Sequence, residues 1–306
     1  MQKFRRNLRY NLIHRLFLFS LLLLASACSI QEPPQTFDQA RQALRDYVYF
    51  DRSDDGDFYC NCDWQWTTNT GGQVDLLSCA YEIRSQATRA QRIEWEHVVP
   101  ASMLGQHRQC WRDGGREHCN RTDPVFNRME ANLHNLVPAV GEVNADRSNY
   151  RFAEIVGEPD DYGACEFEVD SRRRLAEPAD AVKGQIARIY FYVHDQYQLP
   201  LSYEEQQLYV RWHQQFPVTE WELERDRRIA RLMGHHNPYV TGEKQWTLAP
   251  QAPENSAMIR GNRNSGIYHL PEGCPGYEQI AESNRVLFSS EQEARAAGYR
   301  RASNCR

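Results

Sequence analysis

Nine cysteines stand behind a leader of export character, and that combination constrains this chain more than any other feature. Residues 1–15 are basic and contain no acid, Leu16 to Leu24 is apolar apart from Ser20, and Ala25-Ser26-Ala27 supplies small residues. That is the order of a secretory signal, and its apolar stretch is too short for a membrane span. Cleavage after Ala27 makes 1–27 a signal segment. An exported chain favours disulfides. With Cys28 set aside, Cys60, Cys62, Cys79, Cys110, Cys119, Cys165, Cys274 and Cys305 make four pairs. Structural zinc is the rival use, but the chain has no CxxC pair, and Cys60-x-Cys62 is too tight for the usual zinc hairpin.

The run Leu24 to Ser29 also has the form of a bacterial lipoprotein signal, in which Cys28 would carry lipid and tether the protein to a membrane. Either way, polar and proline-bearing residues make 28–36 a flexible tether. The leader holds Lys3, Arg5, Arg6, Arg9 and Arg15, and its removal leaves 31 basic side chains against 41 acidic ones. A mature charge near −10 excludes a polycation that coats nucleic acid, so any phosphate binding is local. A mean hydropathy of −0.74 excludes a polytopic membrane protein.

Phe37, Ala40, Leu44, Tyr47 and Val48 recur at helical spacing and predict an amphipathic helix near 37–49. Residues 50–92 read as turns and short strands. Ile186 to Tyr197 marks a second helical face. Thr219 with Glu222 opens a capped helix that Gly234 ends. The composition shifts at Thr247 to Ser256, which predicts a linker over 247–258 between a domain at 37–246 and a small unit at 259–306. In that unit Ser290 and Glu293 cap a short helix closed by Gly298, and a Cys274–Cys305 bridge suits a core so small.

The chemistry concentrates between Arg92 and Asn149. Glu96 and His97 are adjacent on an extended segment and point to opposite faces, so one can hold a metal while the other meets a water. No histidine lies four residues from His97, which excludes the HExxH zinc-protease helix. His134-Asn135-Leu136-Val137-Pro138 leads into a helix from Ala139 to Tyr150 that carries Asn144. Oxygen from Glu96 and Asn144 suits a hard cation that retains several waters. A glycine-containing loop from Gln106 to Arg116 carries Arg108, Arg112 and Arg116, and Cys110–Cys119 would pin it.

These segments are similar to the bacterial endonuclease I family, exported nucleases of the His-Me finger (ββα-metal) class. The residues that carry the likeness are Glu94-Trp95-Glu96-His97-Val98-Val99-Pro100-Ala101, Arg108-Gln109-Cys110-Trp111 with Gly114-Gly115-Arg116, Met129 to Leu136, and Gly141 to Asn149. The resemblance implies an α+β fold with His97 as general base, Glu96 and Asn144 as ligands of one divalent cation, and Arg116 on the phosphate. Arg108 and Arg112 join it as substrate-binding candidates. Mg2+ is the expected cation, with Mn2+ or Ca2+ as alternatives and no organic cofactor. It implies cleavage of DNA and RNA with little sequence preference, leaving 5′-phosphate ends, by a monomer located in the periplasm, outside the cell or on a lipid anchor. The chain departs from the family at Leu223 and near 242–247, where a pair of cysteines is missing. The opposing reading is a catalytically silent nucleic-acid-binding protein of the envelope.

Gly261 to Cys305 is similar to the small metal-binding domain of the adaptive-response DNA-repair protein. Only Cys274 and Cys305, with His269 nearby, stand where that domain has its four zinc cysteines. The expectation is therefore a disulfide version of that scaffold rather than a zinc site.

Overall fold

The computed structural model describes residues 32–156, 162–248, 258–288 and 290–305; the signal segment, Cys28 and most of the 247–258 linker lie outside them. The architecture is α+β, as expected. Its organising element is an antiparallel sheet of β1 (Trp64–Trp66), β2 (Gly72–Val74), β3 (Arg92–His97) and β4 (Leu136–Val140), in that spatial order. Strand β3 pairs with β4 from Ile93 opposite Val140 to His97 opposite Leu136. All five residues of β4 are buried. Pro138 is tolerated there because β4 is the edge strand and has no second ladder to donate to.

Helices surround this sheet. The chain enters through α1 (Phe37–Ala43), capped by Thr36 and continued by a π turn over Leu44–Val48, which matches the predicted 37–49 helix closely. A short α2 (Ala87–Ala90) precedes β3. Between β3 and β4 come α3 (Ala101–Gly105), α4 (Gln109–Thr122) and α5 (Pro124–Glu130). Immediately after β4, α6 (Gly141–Arg147) completes a strand–strand–helix unit. The helix expected over Ala139 to Tyr150 is shorter at both ends: Ala139 and Val140 extend the strand ladder, and Ser148, at φ 52°, breaks the turn.

The predicted 106–116 loop is corrected. Residues 109–122 are helical on both sides of a break at Gly114–Gly115. Gly115 sits at φ 68°, ψ −159°, a region essentially reserved for glycine, so the break is sequence-encoded. Cys110 and Cys119 are bonded across it.

Beyond the finger, short strands β5 (Arg151–Phe152), β6 (Glu168–Asp170) and β7 (Leu175–Glu177) form a second sheet. The long helix α7 (Asp180–Tyr197) is buried from Lys183 to His194 and packs on α8 (Tyr203–Gln215). Helix α9 (Glu220–Met233) begins at Thr219, whose hydroxyl accepts from Glu222 N, and ends at Gly234 in the left-handed conformation. Its Glu222 forms a buried ion pair with Arg188 at 2.6 Å.

Among the described residues all eight cysteines are paired: Cys60–Cys165, Cys62–Cys79, Cys110–Cys119 and Cys274–Cys305. The last pair joins two segments outside the strands of a separate four-stranded sheet, whose strands fall within residues 259–301 and whose core gathers Ile259, Tyr268, Phe288 and Tyr299. His269 lies near that bridge, but Cys274 and Cys305 are bonded to each other and are not thiolate ligands. Among the described residues no helix is long and apolar enough to cross a membrane.

Candidate active site

A cavity of about 740 Å³ opens where β3 ends against α6, and His97, Glu96, Asn144 and Arg116 all line it. Strand alternation separates the first two. Glu96 turns toward Tyr59 and Arg147, and His97 toward Phe37 and Glu130. Glu96 is 4% exposed; its Oε1 accepts from the Tyr59 hydroxyl at 3.2 Å and pairs with Arg147 at 3.0 Å. Burial raises this carboxyl to about 7, against the pull of Arg147.

The His97 ring donates Nε2–H to the carbonyl oxygen of Glu130 at 2.9 Å. A carbonyl only accepts, so this bond selects the tautomer that leaves a lone pair on Nδ1. No hydrogen bond to Nδ1 is found among the described residues. Burial, reinforced by the charges of Arg116 and Arg147, pushes the imidazole down to about 3, so it is neutral at physiological pH. Phe37 of α1 covers the ring at a centroid distance of 4.8 Å.

Arg116 leaves the glycine break of α4 and gives its Nε–H to Oε1 of Glu130. Glu130, at the end of α5, therefore holds both candidate side chains: the imidazole through its backbone, the arginine through its carboxylate. Sequence reading missed it, because a helical glutamate carries no local mark of such a role.

Arg147 was missed too. It is fully buried and donates to the backbone carbonyls of His97 at 3.0 Å and Val98 at 2.5 Å as well as pairing with Glu96. A signal for it existed: Asn144 and Arg147 stand three apart on α6, and Glu94 and Glu96 stand two apart on β3. Those spacings put each pair on one face, and the two faces meet as Asn144–Glu94 and Arg147–Glu96.

Two candidates do not line the cavity. Arg108 is chelated by Asp123 at 2.6 and 2.9 Å, and Arg112 turns back to the His107 carbonyl and the Gln109 side chain. The arginines that join Arg116 around the opening are Arg41, Arg89 and Arg92. His134 is buried away from it, beside Asp226 and His235.

The donor set fits a hard cation. Glu96 offers a carboxylate and Asn144 an amide carbonyl, both oxygen. A buried carboxyl lifted to about 7 gains most from a nearby positive ion. With one carboxylate and one amide, most coordination positions are left to water and phosphate oxygens.

Two antiparallel strands followed by a helix, with an imidazole at the end of the first strand and an amide on the helix, define the His-Me finger class of nuclease fold. The comparisons narrow this. The family described as Endonuclease I matches residues 36–243. The chain is 46% identical over 226 residues to an extracellular deoxyribonuclease of Aeromonas hydrophila, covering 74% of this chain and 95% of that protein. It is 44% identical to a periplasmic deoxyribonuclease of the same organism, over 74% of this chain and 92% of the relative. It is 40% identical to Endonuclease-1 of Buchnera aphidicola subsp. Acyrthosiphon pisum, over 67% of this chain and 82% of that protein. The chain belongs to the endonuclease I family.

Proposed function

We propose that this nuclease hydrolyses the phosphodiester backbone of DNA, and also of RNA, using a water activated at Nδ1 of His97 and leaving 5′-phosphate ends. The observation that carries this reading is the hydrogen bond from His97 Nε2–H to the Glu130 carbonyl, which frees the Nδ1 lone pair beside the cavity. The water passes a proton to Nδ1, its oxygen forms the new bond to phosphorus, and the bond to the 3′-oxygen breaks. The imidazole is a weak base while alone in its buried setting. A phosphate entering beside it adds negative charge and draws its proton affinity upward.

Glu96 and Asn144 would hold one divalent cation, Mg2+ first and Mn2+ or Ca2+ as alternatives; when bound it supplies charge neutralisation at the phosphate and the leaving oxygen. Arg116, held by Glu130 through Nε, has its two remaining nitrogens for a nonbridging oxygen. Contacts of this kind go to phosphate and do not read bases, so cleavage is sequence-tolerant and strongly inhibited by salt.

The names of the relatives, extracellular and periplasmic, support export of this chain; in this reading it acts as a monomer and without organic cofactor. Mass spectrometry of the mature amino terminus distinguishes a free protein from one acylated at Cys28. Plasmid degradation tests the activity. The reading expects nicking and digestion with Mg2+, and loss of both with EDTA or in His97→Ala. Equal digestion in all three conditions contradicts it, and binding without cleavage in Mg2+ favours a silent nucleic-acid-binding protein.

A further inference from the structure

An asparagine can serve a cation only if its oxygen, and not its NH2, faces the ion, and the two ends have nearly the same shape. Something must therefore decide the orientation of Asn144. Its Nδ2 donates to Oε2 of Glu94 at 2.9 Å. A carboxylate has no hydrogen to give, so this contact accepts only the NH2 end and turns Oδ1 away from Glu94.

Glu94 is itself fixed. Arg89 Nε donates to Oε1 at 3.0 Å while its Nη2 reaches Oε2, and Arg92 Nε donates to Oε1 at 2.8 Å. The backbone accommodates this carboxylate as well. At Gly141, the first residue of α6, a Cβ would lie 2.9 Å from the Glu94 carboxyl carbon and 2.6 Å from the Arg89 carbonyl. The helix that carries Asn144 thus starts with the residue that leaves room for Glu94. Glu94, Asn144, Arg89 and Arg92 all line the cavity.

We propose that Glu94, clamped by Arg89 and Arg92, is a positioning residue that sets the polarity of the Asn144 amide and so presents Oδ1 for cation binding. The inference rests on the reading of Glu96 and Asn144 as the cation site, and it adds a residue which acts on the ion through another side chain.

The test uses Mn2+ titrated calorimetrically into the metal-free, full-length mature protein without nucleic acid, so binding is read apart from turnover. In Glu94→Gln the arginines take the single amide oxygen, the NH2 of the introduced glutamine faces Asn144, and the Asn144 amide inverts. Mn2+ affinity then falls about tenfold or more, the usual scale for losing a partner that orients a ligand. An aspartate in place of Asn144 has two equivalent oxygens and needs no orientation. In the Asn144→Asp background Glu94→Gln therefore costs less than about threefold, well below the effect of an orienting partner. An equal loss in both backgrounds, or none in either, overturns the proposal. Absence of Mn2+ binding in the unsubstituted protein contradicts the cation site itself, which is a separate outcome.

If Glu94→Gln does not unfold cooperatively, hydrogen exchange at the Asn144 side-chain amide, followed by NMR in the unsubstituted protein, carries the test. Protection before and after adding Mg2+ is expected, and rapid exchange in the metal-free protein contradicts the clamp.

Discussion

The finger and the arginine arm reach the same cavity by different physical means. In the finger, β3 pairs with β4 along its ladder and α6 follows β4 directly, so Glu96, His97 and Asn144 inherit their positions from regular structure. The arm carrying Arg116 leaves a helix broken at two glycines, is cross-linked by Cys110–Cys119, and is aimed by a single carboxylate from another helix. The groups proposed to meet the reacting atoms stand on regular structure. The group proposed to grip the substrate stands beside a glycine break.

The largest effect should come from the finger. His97→Ala should lower kcat on plasmid DNA by about 10³-fold, the scale of a lost general base, with the cooperative unfolding transition kept. Retention of a tenth of the activity would remove His97 from the chemistry. For the arm, Arg116→Ala should cost about 10²-fold, and Arg116→Lys should recover little, because a lysine cannot hold Glu130 and a phosphate with one planar group. Full recovery by lysine would mean that only charge matters there. Glu130→Gln should cost less, about tenfold and mostly in KM, since the backbone bond to His97 survives while the aim of Arg116 is lost. An unchanged KM would separate Glu130 from substrate binding.

Acidity sharpens the contrast inside the finger. In the metal-free protein Glu96 lies at about 7 against an ordinary 4.5, so the fold holds the extra proton between those values. Its contribution is fully present below pH 4.5 and is lost as pH rises through 7. His97 runs the other way: down to about 3 from 6.5, it contributes above pH 6.5 and the gain is lost as pH falls through 3. Between pH 4.5 and 6.5 the two oppose each other, and just above 6.5 Glu96 acts alone. Metal-free Tm should therefore fall from pH 6.5 to 8 more steeply in the unsubstituted protein than in Glu96→Gln. Identical slopes would contradict the raised carboxyl.

The smallest global effect belongs to the arm's cross-link. Cys110→Ser with Cys119→Ser opens a loop only 9 residues long and should cost about 2 kcal/mol, less than opening Cys60–Cys165 with its separation of 105. Its KM for DNA should nevertheless rise severalfold. A larger stability loss at the short bridge than at the long one would reverse this ranking.

The same contrast explains what was legible in the sequence. Glu96, His97 and Asn144 lie within a strand–strand–helix pattern, and alternation alone separates Glu96 from His97. The capped helices at Thr219 and Ser290 were readable because their bonds run between residues three apart. Glu130 was not, because only the fold brings its carbonyl under residue 97. Arg108 and Arg112 look like Arg116 in sequence, yet Asp123 takes one and local acceptors take the other. Charge on an arginine does not reveal which acceptor lies nearest. The expected 106–116 loop is helix from Gln109 instead, because Gly114 and Gly115 interrupt a pattern that resumes on either side of them.

A crystal of the mature protein soaked in Mn2+ tests the central claim most directly through the anomalous signal. One peak in the cavity, bonded to an oxygen of Glu96 and to Oδ1 of Asn144, with Nδ1 of His97 facing the same space, is the expected result. A peak elsewhere, or a ring whose Nδ1 is occupied by a protein donor, would contradict it.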